Sequence, residues 1–147
     1  MRVLLQRVKD CEVRIDGKTY SNIRLGLLLL FGTHIDDSDD SCGILADKSV
    51  NLRIFEDSEG KMNLSALDIG AEIMIVSQFT LYADTKKGRR PSFGEAMHPD
   101  KAKKLYNQFV KLVKESELKV ATGQFGAKMD IKFINHGPVT ILLEHGL

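Results

Sequence analysis

Residues 26–33 read GLLLLFGT, the most apolar run in a chain of 147 residues. Apolar side chains at successive positions, and not at alternate ones, indicate a strand that is buried on both faces of its sheet. A second largely apolar run, AEIMIVSQFTL at residues 71–81, predicts another buried strand that ends in the segment 77–81. Both runs are far shorter than the roughly 20 residues of a membrane-spanning helix, so we expect no membrane partner.

Shorter strands are predicted on either side of these two runs. Residues 2–9 are a run of apolar residues with polar residues between them. Residues 11–16 alternate apolar with polar side chains before the tight-turn pair Asp16-Gly17. We also expect strands at 19–23, 118–122, 129–135 and 138–144, with a turn between the last two.

Two helices are predicted. The first has Ser38 or Asp39 as its N-cap and ends near residue 53. The second covers about 99–116, because Pro99 suits a first helical turn and apolar residues then recur at i, i+3 and i+4 spacing. Short strands joined by turns favour an α+β fold with one domain over residues 1–147. We expect a mainly antiparallel sheet or partial β-barrel with the two helices on one face.

The charge balance restricts nucleic-acid binding to a local surface. With 21 Lys and Arg against 20 Asp and Glu, the net charge is +1, which excludes a protein whose whole surface attracts a polyanion. Four cations, Lys86, Lys87, Arg89 and Arg90, surround Gly88 and form a local basic loop. This loop suits a phosphate backbone, and a solvated surface loop is an equally good interpretation.

The sequence contains no targeting or metal-binding pattern. Its first residues become polar within five positions, so we expect no signal peptide and a cytoplasmic protein. Cys11 and Cys42 fit no zinc spacing and are expected to be reduced thiols. The four histidines also lack ligand spacing, and no nucleotide-binding glycine motif occurs, so we expect neither a metal nor a cofactor.

The segment Ser77-Gln78-Phe79-Thr80 is the first candidate for a functional site. It follows a buried strand, where polar side chains often line a pocket and free backbone amides can stabilise negative charge. An edge strand with incidental hydroxyls is the alternative. Residues 135–140 taken alone indicate a hairpin turn, and the GxxG of residues 123–126 indicates a plain turn rather than an RNA-binding loop.

Two separated segments together carry a resemblance to a known family. They are Ser77-Gln78-Phe79-Thr80-Leu81 and Gly137-Pro138-Val139-Thr140, and the stretches 1–8 and 82–93 are similar as well. The chain resembles, over its full length, the D-aminoacyl-tRNA deacylases, which remove D-amino acids from mischarged tRNA.

The resemblance implies a site and a mechanism. Ser77, Gln78, Phe79 and Thr80 would line a catalytic pocket for the 3′-terminal adenosine and its aminoacyl group. The protein would be a homodimer in which Gly137–Pro138, with a cis bond, enters the pocket of the partner subunit and rejects L side chains. Glycyl-tRNA, including glycine mischarged on alanine tRNA, is an expected second substrate, since glycine has no side chain to reject.

Two further positions bear on the Gly137–Pro138 segment. His136 stands where the family usually has an acidic residue, and we expect the difference to have a minor effect. Arg7 either holds the Gly137–Pro138 segment through its carbonyl groups or is a surface arginine.

Two other functions are also compatible with the sequence. The first is a non-catalytic RNA-binding module that uses the same basic loop. The second is a serine hydrolase that acts on small esters through Ser77, although the sequence places no general base near Ser77 in any known order.

Overall fold

The structure, a computed structural model, describes residues 1–146. Its strands are β1 (Arg2–Ile15), β2 (Lys18–Ile23), β3 (Gly26–Gly32), β4 (Phe55–Glu56), β5 (Met62–Leu64), β6 (Glu72–Ser77), β7 (Val120–Thr122) and β8 (Asp130–Glu144). Its helices are α1 (Asp39–Asn51), α2 (Ala66–Ile69) and α3 (Pro99–Lys114), and a 3₁₀ helix covers Phe79–Tyr82. None of the helices within residues 1–146 is long and apolar enough to cross a membrane.

Strand β1 organises the main sheet, because it is long enough to pair with two strands in succession along one edge. Residues 2–8 pair with β3 and residues 11–15 with β2, while β8 follows the other edge, and all three pairings are antiparallel. Strand β6 then pairs in parallel with β3, and β7 pairs in parallel with β6. Irregular pairing between β1 and β8 bends the sheet into a nearly closed barrel. The predicted α+β fold with a mainly antiparallel partial barrel is confirmed.

The two apolar runs are central strands that are buried on both faces, as predicted. Leu27 and Leu29 of β3 pack into the larger core, which the helices cover. Leu28 lies on the opposite face, in a second core inside the curled sheet. Position 26 has to be glycine, because a Cβ there would lie 1.7 Å from the carbonyl oxygen of Glu72 on the neighbouring strand.

The two predicted helices are confirmed as α1 and α3, but the expectation of two helices was incomplete. The additional helix α2 is a single turn that begins with a capping box: the Ser65 hydroxyl accepts from the main-chain N–H of Asp68, and the Asp68 carboxylate accepts from that of Ser65. One turn is too short to show apolar periodicity, so the sequence pattern did not reveal it.

The predicted turn between strands at 129–135 and 138–144 was wrong, because β8 runs unbroken from Asp130 to Glu144. The pairing with β1 passes from Val8–Asn135 to Gln6–Thr140, so residues 136–139 form a bulge opposite Arg7. The Asn135 side chain closes this bulge by bonding both the carbonyl oxygen and the N–H of Val139. The Gly137–Pro138 peptide bond within it is cis.

Candidate active site

A cavity of about 710 Å³ lies beside the carboxyl ends of the parallel strands β3 and β6. Four pieces of chain form its wall: the ends of the two strands, the first turn of α3 with the loop before it, the turn at residues 125–127, and the start of β8. A volume of this size is typical of small-molecule sites. The cavity therefore has room for a ligand such as a nucleoside that carries an amino acid.

The predicted site segment lies at this cavity, although its backbone is not the predicted strand. Strand β6 ends at Ser77 and not near Leu81. The N–H of Gln78 still donates to the carbonyl oxygen of Phe31 at 2.7 Å. The chain then turns into the 3₁₀ helix. Ser77, Gln78 and Phe79 line the cavity.

Thr80, unlike Ser77, Gln78 and Phe79, does not line the cavity. It is exposed and stands outside the lining residues, while its hydroxyl oxygen accepts a hydrogen bond from Nε2 of Gln78. The structure therefore connects Thr80 to the cavity through the Gln78 side chain.

Gly32 allows the 3₁₀ turn to pack directly against β3. A Cβ at this position would lie 2.8 Å from the carbonyl oxygen of Gln78 and 3.1 Å from Cβ of Leu81. The same carbonyl accepts the N–H of Leu81 at 3.3 Å, the first bond of the turn. Because the first N–H groups of a helix have no acceptor within it, the start of this turn offers hydrogen-bond donors beside the cavity.

The basic loop is attached to the cavity rim by an aromatic pair. The rings of Phe79 and Phe93 meet edge to face with centroids 5.0 Å apart, and both residues line the cavity. Main-chain hydrogen bonds in both directions between Asp84 and Ser92, at 2.8 and 3.0 Å, close the loop that precedes Phe93. The four predicted RNA-binding cations lie in this loop, exposed and outside the cavity: Lys86, Lys87, Arg89 and Arg90.

Apart from one imidazole, the polar groups of the cavity are hydroxyl, amide and backbone groups. Among its lining residues the one ionisable side chain is His98, whose Nδ1 lies 3.7 Å from the exposed carboxylate of Asp100. Burial raises the pKa of the Cys11 and Cys42 thiols to about 12, so neither is a nucleophile at neutral pH. Residues 1–146 hold no group of three or more His, Cys, Asp or Glu side chains suited to a metal ion, and the expected absence of a cofactor stays a prediction.

The Gly137–Pro138 segment is separate from this cavity within one chain. Both residues are exposed on the β8 bulge and are not among the lining residues. Arg7 lies beneath them with 3% of its surface exposed and donates from Nε to the carbonyl oxygen of His136. Arg7 is therefore not a surface arginine: it is buried and bonds a main-chain carbonyl of the segment that contains Gly137–Pro138.

Several lining residues were not predicted, Phe125 and Met129 among them. The predicted turn at 123–126 is present, with the N–H of Ala127 bonded to the carbonyl oxygen of Gln124, and it forms part of the cavity wall as well. An aromatic side chain between two glycines needs an apolar surface to contact. The position of Phe125 between two glycines was the sequence signal that could have indicated a cavity wall here.

Comparison with known proteins identifies relatives along the whole chain. The family described as D-Tyr-tRNA(Tyr) deacylase matches residues 4–144. The D-aminoacyl-tRNA deacylase of Thermosipho africanus (strain TCF52B) is 55% identical over 144 residues, covering 98% of this chain and 97% of the relative. The D-aminoacyl-tRNA deacylase of Aquifex aeolicus (strain VF5) is 53% identical over 144 residues, with the same coverage of both chains.

Two solved structures share the fold. The c-Myc DNA Unwinding Element Binding Protein superposes with a TM-score of 0.94 at 37% identity, over 100% of both chains. A probable eukaryotic D-amino acid tRNA deacylase superposes with a TM-score of 0.84 at 19% identity, over 97% of both chains.

Proposed function

The chain belongs to the D-Tyr-tRNA(Tyr) deacylase family, and we propose that its cavity hydrolyses the ester between a D-amino acid and the 3′-terminal adenosine of tRNA. It is an enzyme of a hydrolase family, as the resemblance of segments 77–81 and 137–140 predicted. The observation that carries the proposal is the placement of Ser77, Gln78 and Phe79 in one cavity large enough for an aminoacylated adenosine.

The chemistry of an aminoacyl ester suits this cavity. Water attacks the ester carbonyl carbon, the bond from that carbon to the ribose oxygen breaks, and the ribose oxygen receives a proton. The products are the free amino acid and tRNA. Because the ester is already activated, the protein has to orient it and stabilise the charge on the carbonyl oxygen.

The residues divide these tasks. The N–H groups at the start of the 3₁₀ helix and the Ser77 hydroxyl are donors for the developing oxyanion. The Gln78 side chain binds the substrate, and Thr80 positions Gln78 through their hydrogen bond. The 2′-hydroxyl of the terminal ribose orients the attacking water.

Stereoselection comes, in this proposal, from a second copy of the chain. Gly137 and Pro138 are exposed and lie outside their own cavity, which leaves them free to enter the cavity of a partner in a homodimer. There the main chain would collide with an L side chain, whereas a D side chain points away and glycine has none. Glycyl-tRNA, including glycine mischarged on alanine tRNA, is therefore a second substrate.

The basic loop supplies the contact with the tRNA backbone. Its four cations are exposed, and the Phe79–Phe93 pair holds the loop next to the cavity. In this position they can contact backbone phosphates of the bound tRNA. Since charged tRNA is used in the cytoplasm, the enzyme acts there.

One comparison favours a second candidate function. The neighbour with 37% identity carries the name of a DNA-element-binding protein. A non-catalytic nucleic-acid-binding module with the same basic loop is therefore the competing proposal. A serine hydrolase is less suited, because among the described residues no hydrogen bond joins the Ser77 hydroxyl to His98, the one side chain lining the cavity that could act as its base.

Deacylation of D-tyrosyl-, L-tyrosyl- and glycyl-tRNA separates these functions. We expect hydrolysis of the D-tyrosyl and glycyl esters and survival of the L-tyrosyl ester. Binding of tRNA with no hydrolysis of any of the three would instead identify a binding module. Ser77→Ala is expected to slow the reaction without abolishing it, and complete loss with a correctly folded variant would favour a serine nucleophile.

A further inference from the structure

A second groove adjoins the active-site cavity, and we propose that it binds the unpaired nucleotides that precede the 3′-terminal adenosine of tRNA. The groove has a volume of about 340 Å³ and lies between α3 and the segment that follows β7, with Tyr20 of β2 at its side. The proposal rests on the proposed deacylase function, since it follows the same substrate out of the cavity.

The groove and the cavity share one wall. Phe125 lines both of them, with Gly123 and Gln124 on the groove side and Gly126 and Ala127 on the cavity side. The Phe125 side chain therefore lies at the boundary between the cavity and the groove.

This shared wall is fixed to the core. The N–H of Gly123 donates to the carbonyl oxygen of Ile75 at 3.0 Å, and the Tyr106 hydroxyl donates to the same oxygen at 2.9 Å. The ring of Phe125 packs against that of Tyr106 with centroids 5.7 Å apart. The connection between the two compartments is thus built on rigid elements.

The charge of the groove suits a phosphate backbone. Lys103 and Lys114 of α3 line it, and no carboxylate does so among the described residues. Ala102 lines the cavity while Lys103 lines the groove, so the groove begins where the cavity ends. Lys114 comes eleven positions after Lys103, which places the two about 16.5 Å apart along the helix axis. A strand that leaves the cavity would pass one cation and then the other.

The remaining side chains suit unpaired bases. Tyr20 is 50% exposed and offers a ring on which a base can stack. The exposed amides of Asn107 and Gln124 offer donors and acceptors to base edges. Lysines, an exposed aromatic ring and amides along one groove are typical of single-stranded nucleic-acid binding. An apolar peptide would leave both lysines without counter-charges.

The test compares two substrates that differ only upstream of the terminal adenosine. They are D-tyrosyl-adenosine and the D-tyrosyl ester of the trinucleotide CCA. For the wild-type protein we expect a higher kcat/KM for the trinucleotide ester. In Lys103→Gln/Lys114→Gln the ratio of kcat/KM for the trinucleotide ester over that for D-tyrosyl-adenosine should fall about tenfold. The salt dependence of trinucleotide binding should also become shallower.

Matched variants make the result specific. Tyr20→Ala should also reduce the advantage several-fold, whereas Tyr20→Phe should retain it because the ring remains. Lys101→Gln/Lys104→Gln removes the same charge from the same helix outside the groove, so it should retain the advantage. The proposal is overturned if Lys103→Gln/Lys114→Gln and Tyr20→Ala keep the wild-type preference for the trinucleotide ester. It is also overturned if the Lys101/Lys104 control loses as much of that preference as Lys103→Gln/Lys114→Gln.

Failure of the groove and failure of the deacylase function give different results. If the wild-type protein hydrolyses neither ester, the deacylase function is wrong. Binding of the unacylated CCA trinucleotide, measured by fluorescence anisotropy, still tests the groove. Weaker binding by Lys103→Gln/Lys114→Gln supports the groove, and equal binding by the variant and the wild type refutes it.

Discussion

The guanidinium of Arg7 donates a hydrogen bond from Nε to the main-chain carbonyl oxygen of His136 at 2.9 Å. Its Nη1 donates to the carbonyl oxygen of Ile54 at 2.5 Å, and only 3% of Arg7 is exposed. A buried cation is tolerated only where hydrogen bonds compensate its lost hydration. Arg7 therefore connects β1, the segment after α1 and the β8 bulge, and it holds the residue that precedes Gly137–Pro138.

Replacing Arg7 should relax the selection between D and L substrates. In Arg7→Gln the contact with the His136 carbonyl is lost or weakened, and the Gly137–Pro138 segment loses its support. We expect the ratio of kcat/KM for D-tyrosyl-tRNA over L-tyrosyl-tRNA to fall about tenfold. Deacylation kinetics on both substrates measure the ratio, and a thermal melt reports the change in stability.

Two variants serve as controls for Arg7. Arg14→Gln removes an exposed arginine from the same strand, and it should leave the D-to-L ratio intact. His136→Asp keeps the main-chain carbonyl that Arg7 binds, so the ratio should also be retained. If Arg7→Gln selects as strongly as the wild type, the position of Gly137–Pro138 does not depend on this arginine.

Gly32→Ala should displace the 3₁₀ turn that carries Phe79 and Thr80 beside the cavity. The added methyl would lie 2.8 Å from the carbonyl oxygen of Gln78, so the 3₁₀ turn has to move away from β3. We expect a loss of about 1–3 kcal/mol in the free energy of unfolding and a fall in kcat. Urea unfolding and single-turnover deacylation measure the two effects.

Gly43→Ala is the matched control, because a Cβ at position 43 of α1 meets no atom within 4 Å. This substitution should stabilise the protein by about 0.5–1 kcal/mol, the usual gain for alanine within a helix, and leave kcat unchanged. Full activity in Gly32→Ala would show that the reaction tolerates a displaced Gln78 turn.

The Glu72 carboxylate should make stability depend on pH in the acid range. Burial raises its pKa, but hydrogen bonds from the Arg24 N–H at 2.8 Å and the Lys119 ammonium at 3.0 Å outweigh burial, so its pKa is lowered overall. A lowered pKa in the folded state stabilises the protein above the ordinary value of 4.5. This stabilisation is lost as the pH falls through the folded-state pKa.

Glu72→Gln removes that dependence. We expect the variant to be about 1–3 kcal/mol less stable than the wild type at pH 7, with the difference narrowing as the pH falls below 4.5. Urea unfolding at several pH values measures it. A constant difference across pH would mean that Glu72 acts through packing alone.

The sequence predicted the elements whose signal is local. Strand β3 was predicted because its apolar run shows burial on both faces, and α3 because Pro99 and the apolar periodicity agree. A pocket at residues 77–79 was expected because polar residues follow a buried strand, and these three residues do line a cavity. In each case neighbouring residues determine the conformation.

The sequence did not predict features that depend on distant partners. Gly137-Pro138 usually marks a turn, yet β8 continues through it because Asn135 closes the bulge and Arg7, 129 residues away from His136, holds it. The 3₁₀ turn after β6 likewise packs against Gly32 of the neighbouring strand β3. Periodicity along the chain contains no information about such contacts.

Thr80 provides the final prediction, since its hydroxyl contacts Gln78 rather than the cavity. Thr80→Val keeps the shape of the side chain but removes the oxygen that accepts the Gln78 Nε2 proton, so Gln78 loses its fixed position. We expect kcat for D-tyrosyl-tRNA to fall about tenfold. Thr80→Ser keeps the hydroxyl and should recover most of the activity. If Thr80 instead acts directly on the ester, Thr80→Val combined with Gln78→Ala should lose far more activity than Gln78→Ala alone. If it acts through Gln78, the double variant should match the single one.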